Sequence, residues 1–308
     1  MESPPSPEGS VPLLARWARP YIWNELPGWG KVYDAFCRSN DRSFAWPKCT
    51  VRGKWHGYLM QLDLADWAER YTYFLGRYYD LPTQIFLRKH LKAGDHFVDI
   101  GANIGMISLL ASHLVGETGS VRSFEPNPFC CDRIEELIRV NSLKNLSLAR
   151  VALSDAAGQL ELSVPKHSGM GTLAEIPPDR VEAYANHFVV QVQTGDDALA
   201  GDVPIQIMKI DVEGYECKAL AGCANVIRRW RPVIVTEVVP EHLRRAGSTP
   251  EMLFELMSGY GYVGFGLTTQ RHFGRHELSL EKLGQQTAPH CEDVVFLHPG
   301  NGSTAGIA

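Results

Sequence analysis

Apolar and polar positions recur in a regular order along the chain from about residue 93 onward. Short apolar runs, bounded by polar or glycine-rich turns, predict strands. These runs lie near 96–100, 121–125, 147–153, 205–211, 232–238, 261–266 and 293–298. Helical spacing of apolar residues predicts helices near 105–115, 128–141, 215–229 and 249–259. Strands that alternate with helices favour an α/β fold with a doubly wound, mostly parallel sheet of seven strands.

Two further runs, Gln159–Val164 and Phe188–Gln193, do not fit this alternation. They flank Pro165–Asn186, a stretch rich in Gly, Pro and His. We interpret the two runs as an inserted hairpin whose loop lies over the ligand edge of the sheet. Gly169 and Gly171 would let this loop move as a lid.

The first 60 residues have no clear helix or strand period. Five of the seven tryptophans lie there: Trp17, Trp23, Trp29, Trp46 and Trp55. So short a segment cannot easily build a core alone. We therefore expect it to pack against the main domain, as a lid over the ligand edge, or to join two copies as a homodimer.

The chain then divides into segments of different composition. We expect an N-terminal extension over 1–60, a helical lead-in over 61–92 with helices near 64–80 and 83–92, a main domain over 93–299, and a disordered tail over 300–308.

The stretch Phe97–Gly105 reads as a strand, a glycine-rich turn and the start of a helix. Gly101 and Gly105 bracket the turn, and Asn103 stands where a dinucleotide-binding fingerprint has its second glycine. A bulky polar residue at that position argues against a pyrophosphate. The Asp99 carboxylate beside the turn suits a cationic ligand end, such as the amino group and sulfonium of S-adenosylmethionine.

Two later strand ends carry polar residues that suit a nucleoside. Glu125 lies 26 residues beyond Asp99, where such folds place a carboxylate against the ribose hydroxyls. Ser154 and Asp155 end the third strand and are candidates for an adenine edge, although a plain turn explains them equally well.

A cluster of ionisable residues ends two apolar strands. Lys209, Asp211 and Glu213 alternate at the end of one strand, and Glu237 ends the next. The carboxyl ends of parallel strands share the edge where ligands bind, and burying unpaired charges is costly. We therefore favour a catalytic role for these four residues. The alternative is a Lys209–Asp211 ion pair, with Glu213 capping the next helix.

Two histidines, His167 and His242, lie in predicted loops near the same edge. A histidine in a loop is more often a surface residue than a base. We retain both as candidate substrate contacts.

Composition narrows the class of partner. Lys and Arg number 30 against 35 Asp and Glu, and no long basic run occurs, so a nucleic-acid partner is not expected. No apolar run reaches the ~20 residues that span a bilayer, and the N-terminus does not read as a signal peptide. Seven scattered cysteines without a Cys-x-x-Cys pair favour reduced thiols in the cytoplasm.

From about Leu62 to Leu297 the chain resembles the FkbM-type S-adenosylmethionine-dependent methyltransferases. The motifs that carry the resemblance are Asp-Ile-Gly-Ala-Asn-Ile-Gly (99–105), Phe-Glu-Pro-Asn-Pro (124–128), Ala-Leu-Ser-Asp (152–155), Lys-Ile-Asp-Val-Glu-Gly-Tyr-Glu (209–216), the strand ending in Glu237 and the Gly76–Asp80 stretch. The resemblance implies a Rossmann-like class I methyltransferase fold. The expected cofactor-contacting residues are Asp99, Gly101, Ala102, Asn103, Gly105, Glu125, Pro126, Asn127, Ser154, Asp155 and Asp211.

The resemblance also implies O-methylation of a hydroxyl on a small natural product, sugar or glycan. The acceptor proton then needs a base, for which Asp211, Glu213 and Glu237 are candidates, with Lys209 orienting one of them. Alternatively, two carboxylates hold a divalent cation that lowers the acceptor pKa. Two other functions stay open: a nicotinamide-dependent oxidoreductase, and a non-catalytic S-adenosylmethionine binder.

Overall fold

The computed structural model describes residues 11–37, 46–165, 171–174, 176, 184–201, 203–272, 275–284 and 292–301. The helices are α1 (Leu13–Trp23), α2 (Trp29–Cys37), α3 (Trp67–Leu75), α4 (Leu81–His90), α5 (Met106–Val115), α6 (Pro128–Asn141), α7 (Gly195–Ala198), α8 (Glu216–Gly222), α9 (Ala224–Trp230), α10 (Pro240–Arg245) and α11 (Pro250–Gly259). The strands are β1 (Lys48–Arg52), β2 (Leu59–Asp63), β3 (His96–Ile100), β4 (Ser120–Phe124), β5 (Leu146–Ala149), β6 (Ala152–Ser154), β7 (Gly158–Pro165), β8 (Tyr184–Thr194), β9 (Ile207–Ile210), β10 (Val233–Glu237), β11 (Val263–His272), β12 (Arg275–Lys282) and β13 (Asp293–Leu297).

The central sheet has the order β12-β11-β13-β10-β9-β3-β4-β5. Neighbours from β10 to β5 pair in parallel, while β13 is antiparallel to both β10 and β11. This confirms the predicted Rossmann-like, mostly parallel sheet. All seven predicted strands contribute to it. The sheet has an eighth strand because β11 runs longer than predicted and folds back as a hairpin with β12.

Two predicted elements are divided in the structure. The run near 147–153 gives β5 in the central sheet and β6 in a separate three-stranded sheet, β6-β8-β7. The helix expected over 215–229 is interrupted at Cys223, whose N–H bonds to Leu220 O in a tighter turn. The predicted inserted hairpin is present, with β7 and β8 antiparallel over nearly their full length.

The N-terminal extension shares one core with the main domain. Val11, Ala15 and Ile22 are buried in the same cluster as Phe74 of α3 and Leu109 of α5. Removing this segment would therefore expose apolar surface of the sheet's own helices.

The remaining global features concern cysteines and membranes. The six described cysteines are free thiols, and four of them are buried. Within the described ranges, no helix combines the length and apolar character needed to cross a membrane.

Candidate functional site

A cavity of about 350 Å³ opens at the carboxyl ends of the central parallel strands. In an open α/β sheet, this edge is the usual place for a ligand. The acidic and basic side chains in its wall are Glu125, Asp211, Glu213, Glu237, His242 and Arg245. Among the described residues the lining begins at Tyr79, so residues 11–37 and 46–60 do not reach it.

The turn after β3 forms one end of the cavity. Gly101 has a positive φ of 77°, and a Cβ built there would lie 1.8 Å from the carbonyl oxygen of Asp211. A side chain would therefore collide with protein backbone as well as strain the turn. The glycine lets the loops after β3 and β9 touch, which brings the turn motif and the acidic cluster together.

Glu125 sits at the end of β4, and backbone groups hold it in place. Its Oε2 accepts a hydrogen bond from the Asn103 N–H at 2.8 Å, and its Oε1 accepts one from the Asn127 N–H at 2.9 Å. Only 7% of Glu125 is exposed, and burial raises its pKa to about 7. The carboxylate is thus oriented before any ligand arrives.

Asp99 and Lys209 lie behind the cavity wall. Asp99 is fully buried, and the Ser108 hydroxyl donates to its Oδ2 at 2.5 Å. Lys209 Nζ lies 3.6 Å from Asp99 and 3.1 Å from Asp211, and it donates to the Gly101 carbonyl at 3.1 Å. Burial alone would lower the pKa of Lys209, but the Asp211 and Asp99 carboxylates raise it. Lys209 is therefore a fixed cation that supports the turn.

The structure contains the Lys209–Asp211 ion pair that the sequence offered as an alternative. The other part of that alternative, helix capping by Glu213, is not what the structure shows. Glu216, rather than Glu213, accepts hydrogen bonds from the Val212 and Gly214 N–H groups. Glu213 instead lines the cavity.

Glu213, Glu237 and His242 form a compact cluster at the other end of the cavity. His242 Nδ1 lies 3.0 Å from a Glu213 oxygen and 3.7 Å from a Glu237 oxygen. Both are ion-pair contacts: the first lacks the angles of a hydrogen bond, the second is too long for one, and Nδ1 is buried. The carboxylates of Glu213 and Glu237 raise the pKa of His242 to about 10, and burial raises the pKa of Glu237 to about 7.

The cluster depends on close backbone contact between two loops. Gly214 has a φ of 109°, and a Cβ there would lie 2.2 Å from the His242 carbonyl oxygen. Glycine therefore allows the loop after β9 to pack on α10, which places Glu213 beside His242.

The same three side chains offer a donor set for a metal ion. One ligand atom from each of Glu213, Glu237 and His242 lies within 4.8 Å of the others. An imidazole nitrogen with two carboxylate oxygens is a combination that divalent transition metals accept. The buried Nδ1, with no well-directed hydrogen bond, also fits a nitrogen that could bind a cation.

Some of the other predicted site residues line the cavity and some do not. Gly101, Asn103, Glu125, Pro126 and Asp211 line it. Asp99, Ala102, Gly105, Asn127, Ser154, Asp155 and Lys209 are not among its lining residues.

Several of these residues instead shape the elements around the cavity. Gly105 precedes α5, Asn127 caps α6 through the Phe129 N–H, and the Ser154 hydroxyl bonds to Asp155. His167 lies outside the described residues.

The sequence did not single out several residues of the wall. Tyr215 lines the cavity, and its hydroxyl donates to the Leu173 carbonyl at 3.1 Å, which ties the inserted loop to the sheet. Tyr79 and Arg245 line it as well. Tyr79 lies within the Gly76–Asp80 stretch quoted for the resemblance, whereas Arg245 had no signal because it lies in a short helix, α10, that the sequence did not predict.

Comparison with known proteins gives a consistent result. A family model described as the methyltransferase FkbM domain matches residues 99–263. Methyltransferase sdnD of Sordaria araneosa is 25% identical over 193 residues, which are 53% of this chain and 72% of that protein. Hexuronic acid methyltransferase AglP of Haloferax volcanii is 28% identical over 177 residues, which are 56% of this chain and 65% of that protein.

Among solved structures, methyltransferase FkbM from Methylobacillus flagellatus is similar over 73% of this chain and 52% of that chain, with 12% identity and a TM-score of 0.38. The family model spans more than half of the 308 residues and runs from Asp99 past the Glu213–Glu237–His242 cluster. The chain therefore belongs to the FkbM methyltransferase family.

Proposed function

We propose that this protein transfers the methyl group of S-adenosylmethionine to a hydroxyl of a small natural product, sugar or glycan. One observation carries the proposal. A single cavity joins the Asn103–Glu125 cradle, which suits a nucleoside, to the Glu213–Glu237–His242 cluster, which suits proton removal. The relatives named above are methyltransferases, and they lend no support to the nicotinamide alternative.

The donor fits the end of the cavity near the first turn. The oriented Glu125 carboxylate has lone pairs for the ribose hydroxyls. Asp211 lies on the same wall and offers negative charge to the amino group of the methionine moiety. The sulfonium already activates the methyl group, so the main task of the protein is alignment, which is worth roughly 7–11 kcal/mol of barrier in well-oriented systems.

Of the three candidate bases, the geometry favours Glu237. Asp211 is engaged by Lys209 at 3.1 Å, and Glu213 lies closest to the His242 nitrogen, at 3.0 Å. Glu237 lies farther from that nitrogen, at 3.7 Å, so it is the carboxylate least engaged by a neighbouring cation and the one we assign as the base. The similarity to AglP, whose name is hexuronic acid methyltransferase, supports a sugar-like acceptor.

The three possible metal ligands of the cluster support a second version of the mechanism. A divalent cation bound by Glu213, Glu237 and His242 would lower the pKa of the acceptor hydroxyl. Without the cation, a proton on His242 offsets the charge of the two carboxylates. Assays with added Mg²⁺ or Mn²⁺, and after treatment with a chelator, separate the two versions, because only the second loses turnover on chelation.

The proposal is tested by methyl transfer from labelled S-adenosylmethionine to a panel of sugars, glycosides and phenols. We expect S-adenosylhomocysteine to bind and label to enter an ether, which survives mild alkali. Label released by mild alkali would instead identify a carboxyl ester and contradict hydroxyl methylation. Absence of S-adenosylhomocysteine binding would contradict the proposed donor.

A further inference from the structure

Arg245 is the last residue of α10 and part of the cavity wall. Its Nε is buried, and within the part of the chain that the structure describes it has no hydrogen-bond partner. This is unexpected, because Glu213 and Glu237 line the same cavity. Both of these carboxylates lie against His242 instead.

An unpartnered guanidinium donor is costly at such a position. A buried donor without a partner is destabilised relative to its state in water, and more so when it is charged. Arg245 follows His242 by three residues on the same helix, so the two side chains share a face. Because Arg245 lines the cavity, a ligand bound there is the remaining source of a partner for its guanidinium, beside the cluster that we propose removes the acceptor proton.

We propose that Arg245 binds a carboxylate of the acceptor, so that the substrate is a hydroxy acid of the uronic acid type. This inference rests on the proposed function and specifies its substrate class. A guanidinium pairs with a carboxylate through two parallel N–H···O bonds, which fixes the orientation of the acceptor as well as its affinity.

The surrounding charge favours a carboxylate over a phosphate. Four carboxylates line the same cavity: those of Glu125, Asp211, Glu213 and Glu237. A doubly charged phosphate would be repelled about twice as strongly as a singly charged carboxylate at the same distance. One guanidinium therefore suits an acceptor with one negative charge.

The location of Arg245 assigns it to the acceptor rather than to the donor. The donor contacts proposed above lie on the loops after β3, β4 and β9. Arg245 lies on α10, which follows β10, on the side of the cavity that holds His242. S-adenosylmethionine also has a carboxylate, so the experiment must separate the two sources.

The test uses Arg245→Met, with Arg244→Met as the matched control. Arg244 neighbours Arg245 on α10 but is exposed, and its Nε bonds to the Pro240 carbonyl at 3.0 Å. Calorimetry on the full chain saturated with S-adenosylhomocysteine would compare D-glucuronate with D-glucose and D-galacturonate with D-galactose. D-glucose 6-phosphate serves as the phosphate probe.

We expect the wild type to bind at least one uronate about 10- to 100-fold more tightly than its neutral hexose. Arg245→Met should abolish this preference, Arg244→Met should keep it, and all three proteins should bind S-adenosylhomocysteine equally. Arg245→Gln, checked by circular dichroism, replaces the Met variant if that variant does not fold.

Three results would overturn the inference: no uronate preference in the wild type, a preference that survives in Arg245→Met, or stronger binding of the sugar phosphate. Selective loss of S-adenosylhomocysteine affinity in Arg245→Met would also overturn it, by assigning the guanidinium to the donor. Failure of the wild type to bind S-adenosylhomocysteine would instead refute the proposed function itself, and the inference with it.

Discussion

The two ends of the cavity are built in different ways. At the end that we assign to the donor, backbone N–H groups of Asn103 and Asn127 hold the carboxylate of Glu125. At the end that we assign to the acceptor, the carboxylates of Glu213 and Glu237 are held by the charge of His242. The first arrangement is set by the fold of two turns. The second depends on the protonation of its members. The first arrangement therefore suits a binding site, and the second suits a site of proton transfer.

Lys209 lies behind the cavity wall, beside Asp99 and Asp211. Its removal should affect both ends of the cavity. Lys209→Met leaves the carboxylates of Asp99 and Asp211 without their cation. Breaking a buried ion pair in this way costs about 3–5 kcal/mol. We expect the variant to lose that much unfolding free energy and to lose both S-adenosylhomocysteine affinity and turnover.

Denaturant unfolding and calorimetry measure the two effects of Lys209→Met. The control is Lys144→Met, at an exposed position. A Lys209→Met protein with wild-type stability would show that Asp99 does not need the cation.

Glu237→Gln should separate the two ends by acting on the acceptor end alone. The amide keeps the size of the side chain but cannot accept the acceptor proton. We expect turnover to fall about 10²- to 10⁴-fold, with S-adenosylhomocysteine affinity unchanged. The control is Glu255→Gln, an exposed residue of α11. Wild-type turnover in Glu237→Gln would move the role of base to Glu213 or Asp211, which their own amide variants would identify.

Glu125→Gln should have the opposite effect to Glu237→Gln, because it should weaken donor binding more than it lowers turnover. A hydrogen bond to a charged group contributes about 1.5–3 kcal/mol, so loss of the carboxylate should weaken S-adenosylhomocysteine binding roughly 10- to 100-fold. Turnover at saturating donor should change much less. Calorimetry with the exposed Glu117→Gln as control measures the difference. Equal affinity in the variant and the wild type would remove Glu125 from the donor site.

The smallest expected effect is a pH dependence of donor binding. Because burial raises the pKa of Glu125 to about 7, its carboxyl is mostly protonated at pH 6 and mostly ionised at pH 8. If only the ionised form binds the ribose well, S-adenosylhomocysteine affinity should rise about tenfold between these pH values. Glu125→Gln should flatten this rise. A rise of the same size in that variant would assign the titration to another group.

The donor end was largely predictable from the sequence because its parts are local. This part of the site comes from about 30 consecutive residues, which contain the first strand, the Gly101–Gly105 turn and Glu125. The structure confirms the predicted order of strands and helices there. The sequence also located Gly101 correctly at a tight turn. It did not reveal that the close neighbour of Gly101 is the Asp211 backbone, since that contact spans more than 100 residues.

The acceptor end was predictable only in part, because it depends on contacts between distant segments. The spacing of Asp211, Glu213 and Glu237 indicated charged strand ends at one edge. It did not show that His242 would come between two carboxylates, since that requires α10 to pack on the loop at Gly214. Arg245 lies on the same helix and was missed for the same reason. The eighth strand was missed because β12 pairs outside the alternating βα pattern.

The most direct test of this account is a crystal structure of the protein with S-adenosylhomocysteine. We expect the ribose hydroxyls to contact the Glu125 carboxylate, the amino group to lie near Asp211, and the sulfur to face the side of the cavity that holds Glu237 and His242. A ligand bound elsewhere, or one whose ribose lies at the Glu213–Glu237–His242 cluster, would contradict the assignment of the two ends.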